Sequence, residues 1–241
     1  CDELPPMASG DLDGDFKQEV LQALPHALIP ATGGLTSTGA VMLLQGRSLS
    51  PDTELSCVWD HTAGSFACNF DMAAVMVHNS SLPTGAILGH STTVTNIFNS
   101  SYPQAAITVQ GGPIGDSFIV LVDGKHLLRQ QGSFDLATCD SKCRIIHAAN
   151  EANQLGGFDF RLRPTLCSDD IDADGYDDVV IGMPAWGEMR GAALAVFGQE
   201  QVNTRDMKLQ ANTNMSPYSA DLRVQVITGA HKLSRFGAAV A

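Results

Sequence analysis

The chain has 241 residues, 44% of them apolar and only 17% charged, so it can bury a core and its composition excludes a disordered polymer. The formal charge is −12, which argues against nucleic-acid backbones and anionic membranes as partners. No apolar run reaches the ~18 residues that a membrane-crossing helix needs.

In chain order, the first feature is an acidic run, Asp11, Asp13, Asp15 and Glu19 in DLDGDFKQE, followed by an apolar stretch that ends at Pro25. A second short apolar run, GAVMLLQG, spans 39–46. Cys57 and Cys68 then flank the turn-like segment 60–64 and are placed to bridge a hairpin. In the middle of the chain, QAAITVQGGP at 104–113 and SFIVLVDG at 117–124 read as two strands, and FNSSY at 98–102 stands where the acids were. Cys139 and Cys143 enclose three residues and are placed to close a tight loop. Free buried thiols are the alternative for all six cysteines, since spacing does not fix connectivity.

The acidic pattern returns as DIDADGYDD at 170–178, and it aligns without a gap from Asp11 to Pro25 and from Asp170 to Pro184, an offset of 159 residues. A second feature recurs in register: the segments ending at Gly156 and Gly237 match over twelve residues, with a first copy ending at Thr84-Gly85. These matches predict repeats of about 80 residues, namely 1–84, 85–155 and 156–235, with a further one opening at 236–241. Each holds at least four short apolar runs, which predicts an all-β chain of four-stranded antiparallel units. Propensity alone would make helices of 15–24 and 144–154; the repeat places both beside strand-like copies and predicts strands.

In D-x-D-x-D-G-x-x-D the side chains at positions 1, 3 and 5 converge on one turn, position 7 offers a carbonyl and position 9 closes the shell. That set of hard oxygens suits Ca²⁺. The predicted site is Asp170, Asp172, Asp174, the Tyr176 carbonyl and Asp178, with Gly175 in the turn. The second is Asp11, Asp13, Asp15, the Lys17 carbonyl and Glu19, weakened by Phe16 at the position where glycine is wanted. Ile181 stands where an EF-hand needs its bidentate Glu, so neither is an EF-hand. A solvated acidic turn is the alternative for each. No site is predicted in the middle repeat. Sequons at Asn79, Asn99 and Asn214, together with the even cysteine count, point to an extracellular, disulfide-bonded glycoprotein.

On these residues the chain resembles the FG-GAP repeats of integrin α subunits. Phe236-Gly237 opens a repeat, and Gly182-Met183-Pro184 stands in the Gly-Ala-Pro place. The resemblance implies about three blades of a seven-bladed β-propeller with Ca²⁺ in the blade loops, a role in cell adhesion, and protein partners at the cell surface. Three blades cannot close a propeller, so the expectation is part of a longer polypeptide, or missing blades supplied by another chain. The motifs of hydrolases, zincins and P-loop enzymes are absent, and the expected role is binding, not catalysis. Two other roles stay open: a structural subunit of a filament or surface assembly, and a propeller attached to a phospholipase-type domain outside this chain.

Overall fold

The computed structural model describes residues 6–31, 34–45, 57–60, 65–68, 74–83, 85–110, 117–130, 132–148, 164–200, 206–209 and 222–240. The first repeat contains β1 (Met7–Gly10), β2 (Glu19–Leu24), the hairpin β3 (Leu28–Ala31) and β4 (Gly34–Ser37), β5 (Ala40–Leu44), the hairpin β6 (Cys57–Asp60) and β7 (Ser65–Cys68), and β8 (Ala74–His78). The second contains β9 (Ile87–Thr95), β10 (Gln104–Gln110), β11 (Phe118–Asp123), the short helix α1 (Gly124–Leu128), β12 (Gly132–Asp135) and β13 (Cys143–Ala148). The third contains β14 (Thr165–Asp169), β15 (Asp178–Met183), the single turn α2 (Trp186–Met189), β16 (Ala192–Val196), β17 (Asp206–Leu209) and β18 (Val224–Thr228).

The fold is all-β, and each repeat forms a four-stranded antiparallel meander: β1-β2-β5-β8, β9-β10-β11-β13 and β14-β15-β16-β18. Of the two segments with helical propensity, 19–24 form β2 and 144–148 lie in β13, while 149–154 lie outside the described residues. β2 buries Glu19, Leu21 and Ala23, every second residue, which a helix could not place on one face. β13 follows the same rule of tertiary context over propensity.

Two sheets carry a fifth strand, and both take it by one rule. β12, between the third and fourth strands of the second sheet, pairs in parallel with β8 of the first. β17, between the third and fourth strands of the third sheet, pairs in parallel with β13 of the second. The fourth strands β8 and β13 are therefore each covered by the repeat that follows. Val75, Met76 and Val77 in β8 are buried, whereas in β18, with no such strand among the described residues, Ile227 is 54% exposed.

The second sheet is sandwiched, and its sequence shows why its strands are apolar on both faces. Ala105, Ile107, Val109, Val120 and Val122 join Leu21, Val41, Leu43 and Val75 of the first sheet in one core. The alternate residues, Ala106, Ile119 and Leu121, join Val179, Ile181, Leu194 and Val196 of the third in another. β9 runs against β1 and β2 on one side and β14 on the other.

The junction between one repeat and the next is built twice in the same way. The Phe236 N–H donates to the Arg190 carbonyl at 3.0 Å, and the Leu88 N–H to the Thr38 carbonyl at 2.7 Å. Gly191 and Gly39 follow those acceptors at φ 79° and 73°, and a Cβ on either would sit within 2.3 Å of a backbone atom of the incoming strand. Leu88-Gly89 thus holds the place of Phe236-Gly237. The expected place, Thr84-Gly85, is four residues early: the connection from β8 to Leu88 is two residues longer than that from β18 to Phe236, and the strands themselves are two residues out of the expected register. Leu155-Gly156 lies outside the described residues.

Candidate metal centre

Both acidic runs connect the first and second strands of their sheets, and residue 9 of each run begins the second strand. The local fold follows from carboxylates that capture the turn's own N–H groups. The Asp170 carboxylate accepts from Asp174 N–H at 3.1 Å and Gly175 N–H at 3.0 Å; Asp11 accepts from Asp15 N–H at 3.1 Å and Phe16 N–H at 2.8 Å. Position 5 closes the next turn: Tyr176 N–H donates to Asp174 at 3.0 Å, and Lys17 N–H to Asp15 at 2.9 Å. At position 9, Asp178 accepts from Ile171 N–H at 2.9 Å, and Glu19 from Leu12 N–H at 2.7 Å. One hydrogen-bond network is therefore drawn by two loops that lie 159 residues apart.

Asp178 is fully buried, and its second oxygen accepts from Gly198 N–H at 2.8 Å. Backbone donors stabilise a carboxylate in such a place. They also tie the loop to the strand end beyond β16.

The structure brings together carboxylate oxygens of Asp170, Asp172 and Asp178 in one loop, and of Asp11, Asp13 and Asp15 in the other, all within 4.8 Å of one another. Oxygens sharing one Ca²⁺ at 2.3–2.6 Å can lie at most about 5 Å apart, so both triads fit that ion. Two sequence-predicted ligands stand outside the triads. Asp174 holds the Tyr176 turn, and Glu19 is 3% exposed with its Oε2 on Leu12. Tyr176 and Lys17 occupy the predicted position 7 in both turns.

Sequence reasoning missed the cation beside each triad. Arg223, close to β18, donates to Asp172 and stacks 4.1 Å from the Phe197 ring centroid. Lys17 reaches Asp15 at 3.1 Å. Nothing in the spacing signals Arg223, which lies 51 residues from its partner. Asp177, next to the cluster in sequence, turns away and accepts from Asn96 N–H of the second sheet at 2.5 Å.

The equivalent turn of the second sheet, between β9 and β10, has no carboxylate. Cys139 and Cys143 form a disulfide with Cα atoms 5.8 Å apart. Cys57 and Cys68 are paired residues of the β6–β7 ladder. Cys167 is a free thiol, raised in pKa by burial and then by Asp169. Asn99 is exposed, whereas Asn79 is buried with its Oδ1 on the Ser81 N–H and hydroxyl; Asn214 lies outside the described residues. No protein family matches the chain, and no curated protein resembles it.

Proposed function

We propose that the chain is a run of three repeats of a calcium-binding propeller, a divergent relative of the FG-GAP repeats of integrin α subunits, and that it serves as an extracellular module for protein binding or cell adhesion. The observation that carries this reading is the pair of loops at equivalent places in two sheets, each with three carboxylates spaced for one Ca²⁺. The repeated junction at Leu88-Gly89 and Phe236-Gly237 supports the propeller, because it joins successive sheets by one fixed geometry. The Cys139–Cys143 disulfide and the exposed Asn99 sequon support an oxidising, secreted setting. In this reading the carboxylates hold the ion, and the ion in turn fixes loops whose charges otherwise repel. No described helix is long and apolar enough to cross a membrane.

The test is thermal unfolding with Ca²⁺ and with chelator. At 100 times Kd one bound ion adds about 2.7 kcal/mol, a rise of roughly 5–10 °C for a chain of this size. Asp172→Ala removes the third-repeat share of that rise. A Tm indifferent to Ca²⁺ refutes the metal reading.

One observation favours a second reading, a structural subunit of an extracellular assembly. The outer edge of β18 stands where β8 and β13 each take a strand from a following repeat, and it presents Ile227 to solvent. A further repeat, on this or another polypeptide, would add there. A phospholipase-type domain elsewhere on the polypeptide is compatible with the same propeller and draws no support from these residues.

A further inference from the structure

The first turn of the second sheet carries no acids, and it lines a basic cleft whose cations come from α1 and the approach to β13. The β9–β10 turn, the start of α1 and the approach to β13 enclose a cavity of about 410 Å³. Its charged walls are Lys125, Arg129 and Lys142, with His126 beside them and one carboxylate, Asp123. Leaving His126 out of the count, three cations against one anion give the cleft +2 in a chain of net charge −12. Asp123 is already engaged, accepting from the His126 N–H at 2.7 Å. Arg129 and Lys142 are exposed, and no ion pair holds either among the described residues.

Lys125 is held in place. Its ammonium lies 3.9 Å from the Tyr102 ring centroid and donates to the Tyr102 hydroxyl. A lysine fixed against an aromatic ring loses little entropy when it meets an anion. Ser101 adds a neutral donor to the lining. Fixed and mobile cations around a small polar cavity suit a compact oxyanion better than an extended acidic surface.

We propose that this cleft binds a small oxyanion group, a phosphate or sulfate ester. The turn that is acidic in the first and third sheets is neutral in the second and forms one wall of this cleft. None of its residues belongs to an acidic triad, although Tyr102 borders the first acidic loop, 3.7 Å from where a Cβ on Gly14 would stand.

The experiment titrates the full chain with inorganic phosphate and with inorganic sulfate by calorimetry, in 0.15 M chloride and excess chelator, so that the outcome is independent of Ca²⁺. Saturable binding is expected for at least one anion, with Kd in the millimolar range or tighter. The double variant Arg129→Gln/Lys142→Gln, both at exposed positions, should weaken it at least tenfold with Tm unchanged. Lys125→Met provides a second variant that should lose binding equally. A phosphate monoester and the matching sulfate ester then separate the two sources: either preference supports the site and names its ligand. No saturable binding of either anion, or equal binding by wild type and the double variant, overturns the proposal.

Discussion

The loops at 11–19 and 170–178 share one backbone and distribute their glycines oppositely. Positions 4 and 6 have positive φ in both: Gly14 at 78° and Phe16 at 66° in the first, Ala173 at 60° and Gly175 at 92° in the third. Each loop therefore keeps one glycine where the backbone needs it and forces one side chain into the left-handed region. The carboxylate at position 1, which captures the N–H groups at positions 5 and 6, imposes this path whatever residue follows. The absence of glycine at position 6 is thus no mark against the first loop. What separates the loops is the third member of each carboxylate triad: position 5, Asp15, in the first loop and position 9, Asp178, in the third.

The largest expected effect breaks the comparison at position 9. Asp178→Ala strands the N–H groups of Ile171 and Gly198 inside the protein, at about 1–3 kcal/mol each. Urea unfolding in chelator should show that loss without any metal. Asp172→Ala should be close to neutral in chelator, since its partner Arg223 is 56% exposed, and should matter only with Ca²⁺ present. Equal losses at 172 and 178 in chelator would refute this division between scaffold and ligand.

Next in size is the cation beside each triad. Arg223 pairs with Asp172 and Lys17 with Asp15, so on the proposed calcium reading each cation would compete with the ion for that carboxylate. Arg223→Gln should tighten Ca²⁺ at the third-repeat loop several-fold, and Lys17→Gln should tighten the first by less, because both members of that pair are more exposed than Asp172. Titration at two salt concentrations checks it, and the gain should shrink in high salt. Weaker binding in Arg223→Gln would make Arg223 a support of the site.

These differences mark what the sequence could show. The repeat of strands was legible because β11, buried on both faces, reads as an unbroken apolar run and β10 as one broken only by Thr108, and because Asp11 and Asp170 align without a gap. The turns with positive φ were half legible, through Gly175 but not Phe16 or Ala173. The exchanged strands β12 and β17 were not legible, since four residues such as Gly132–Asp135 carry no period of their own and are ordered by the edge they join. The basic cleft was hidden for the same reason: Lys125, Arg129 and Lys142 are scattered in sequence and meet only when α1 and the strand ends fold together.

The exchanged strand β12 carries a smaller, pH-dependent term. His78 and Asp135 are paired residues of β8 and β12, with Nδ1 and Oδ1 3.8 Å apart. Burial holds the His78 pKa below its ordinary 6.5, and the nearby Asp135 charge only partly offsets it. Burial pushes Asp135 upward, but the Ser80 hydroxyl and the N–H groups of Ser80 and Ala137 outweigh it and hold the pKa below its usual value. Above pH 6.5 the histidine is neutral in both states and adds no slope. As pH falls below that, the unfolded chain takes up the proton first, so stability declines. Asp135 adds a second decline in the carboxylate range, as its folded form resists protonation. His78→Gln should abolish the first decline and leave the second; an unchanged profile from pH 7 to 5 would remove His78 from the account.

The smallest effects test the opposite placement of glycine directly. Phe16 is 96% exposed, so Phe16→Gly gives up no packing and relieves a left-handed side chain. That relief is about 1–2 kcal/mol, and the added freedom of the unfolded chain takes back about 0.5–1. A net gain of about 0.5 kcal/mol is expected, and likewise for exposed Ala173→Gly. Gly175→Ala, with nothing within 4 Å of the new Cβ, should lose about 1 kcal/mol through φ alone. If Phe16→Gly and Ala173→Gly both destabilise in chelator, the left-handed path is not set by the position 1 carboxylate, and the two loops share a sequence pattern without sharing a mechanism.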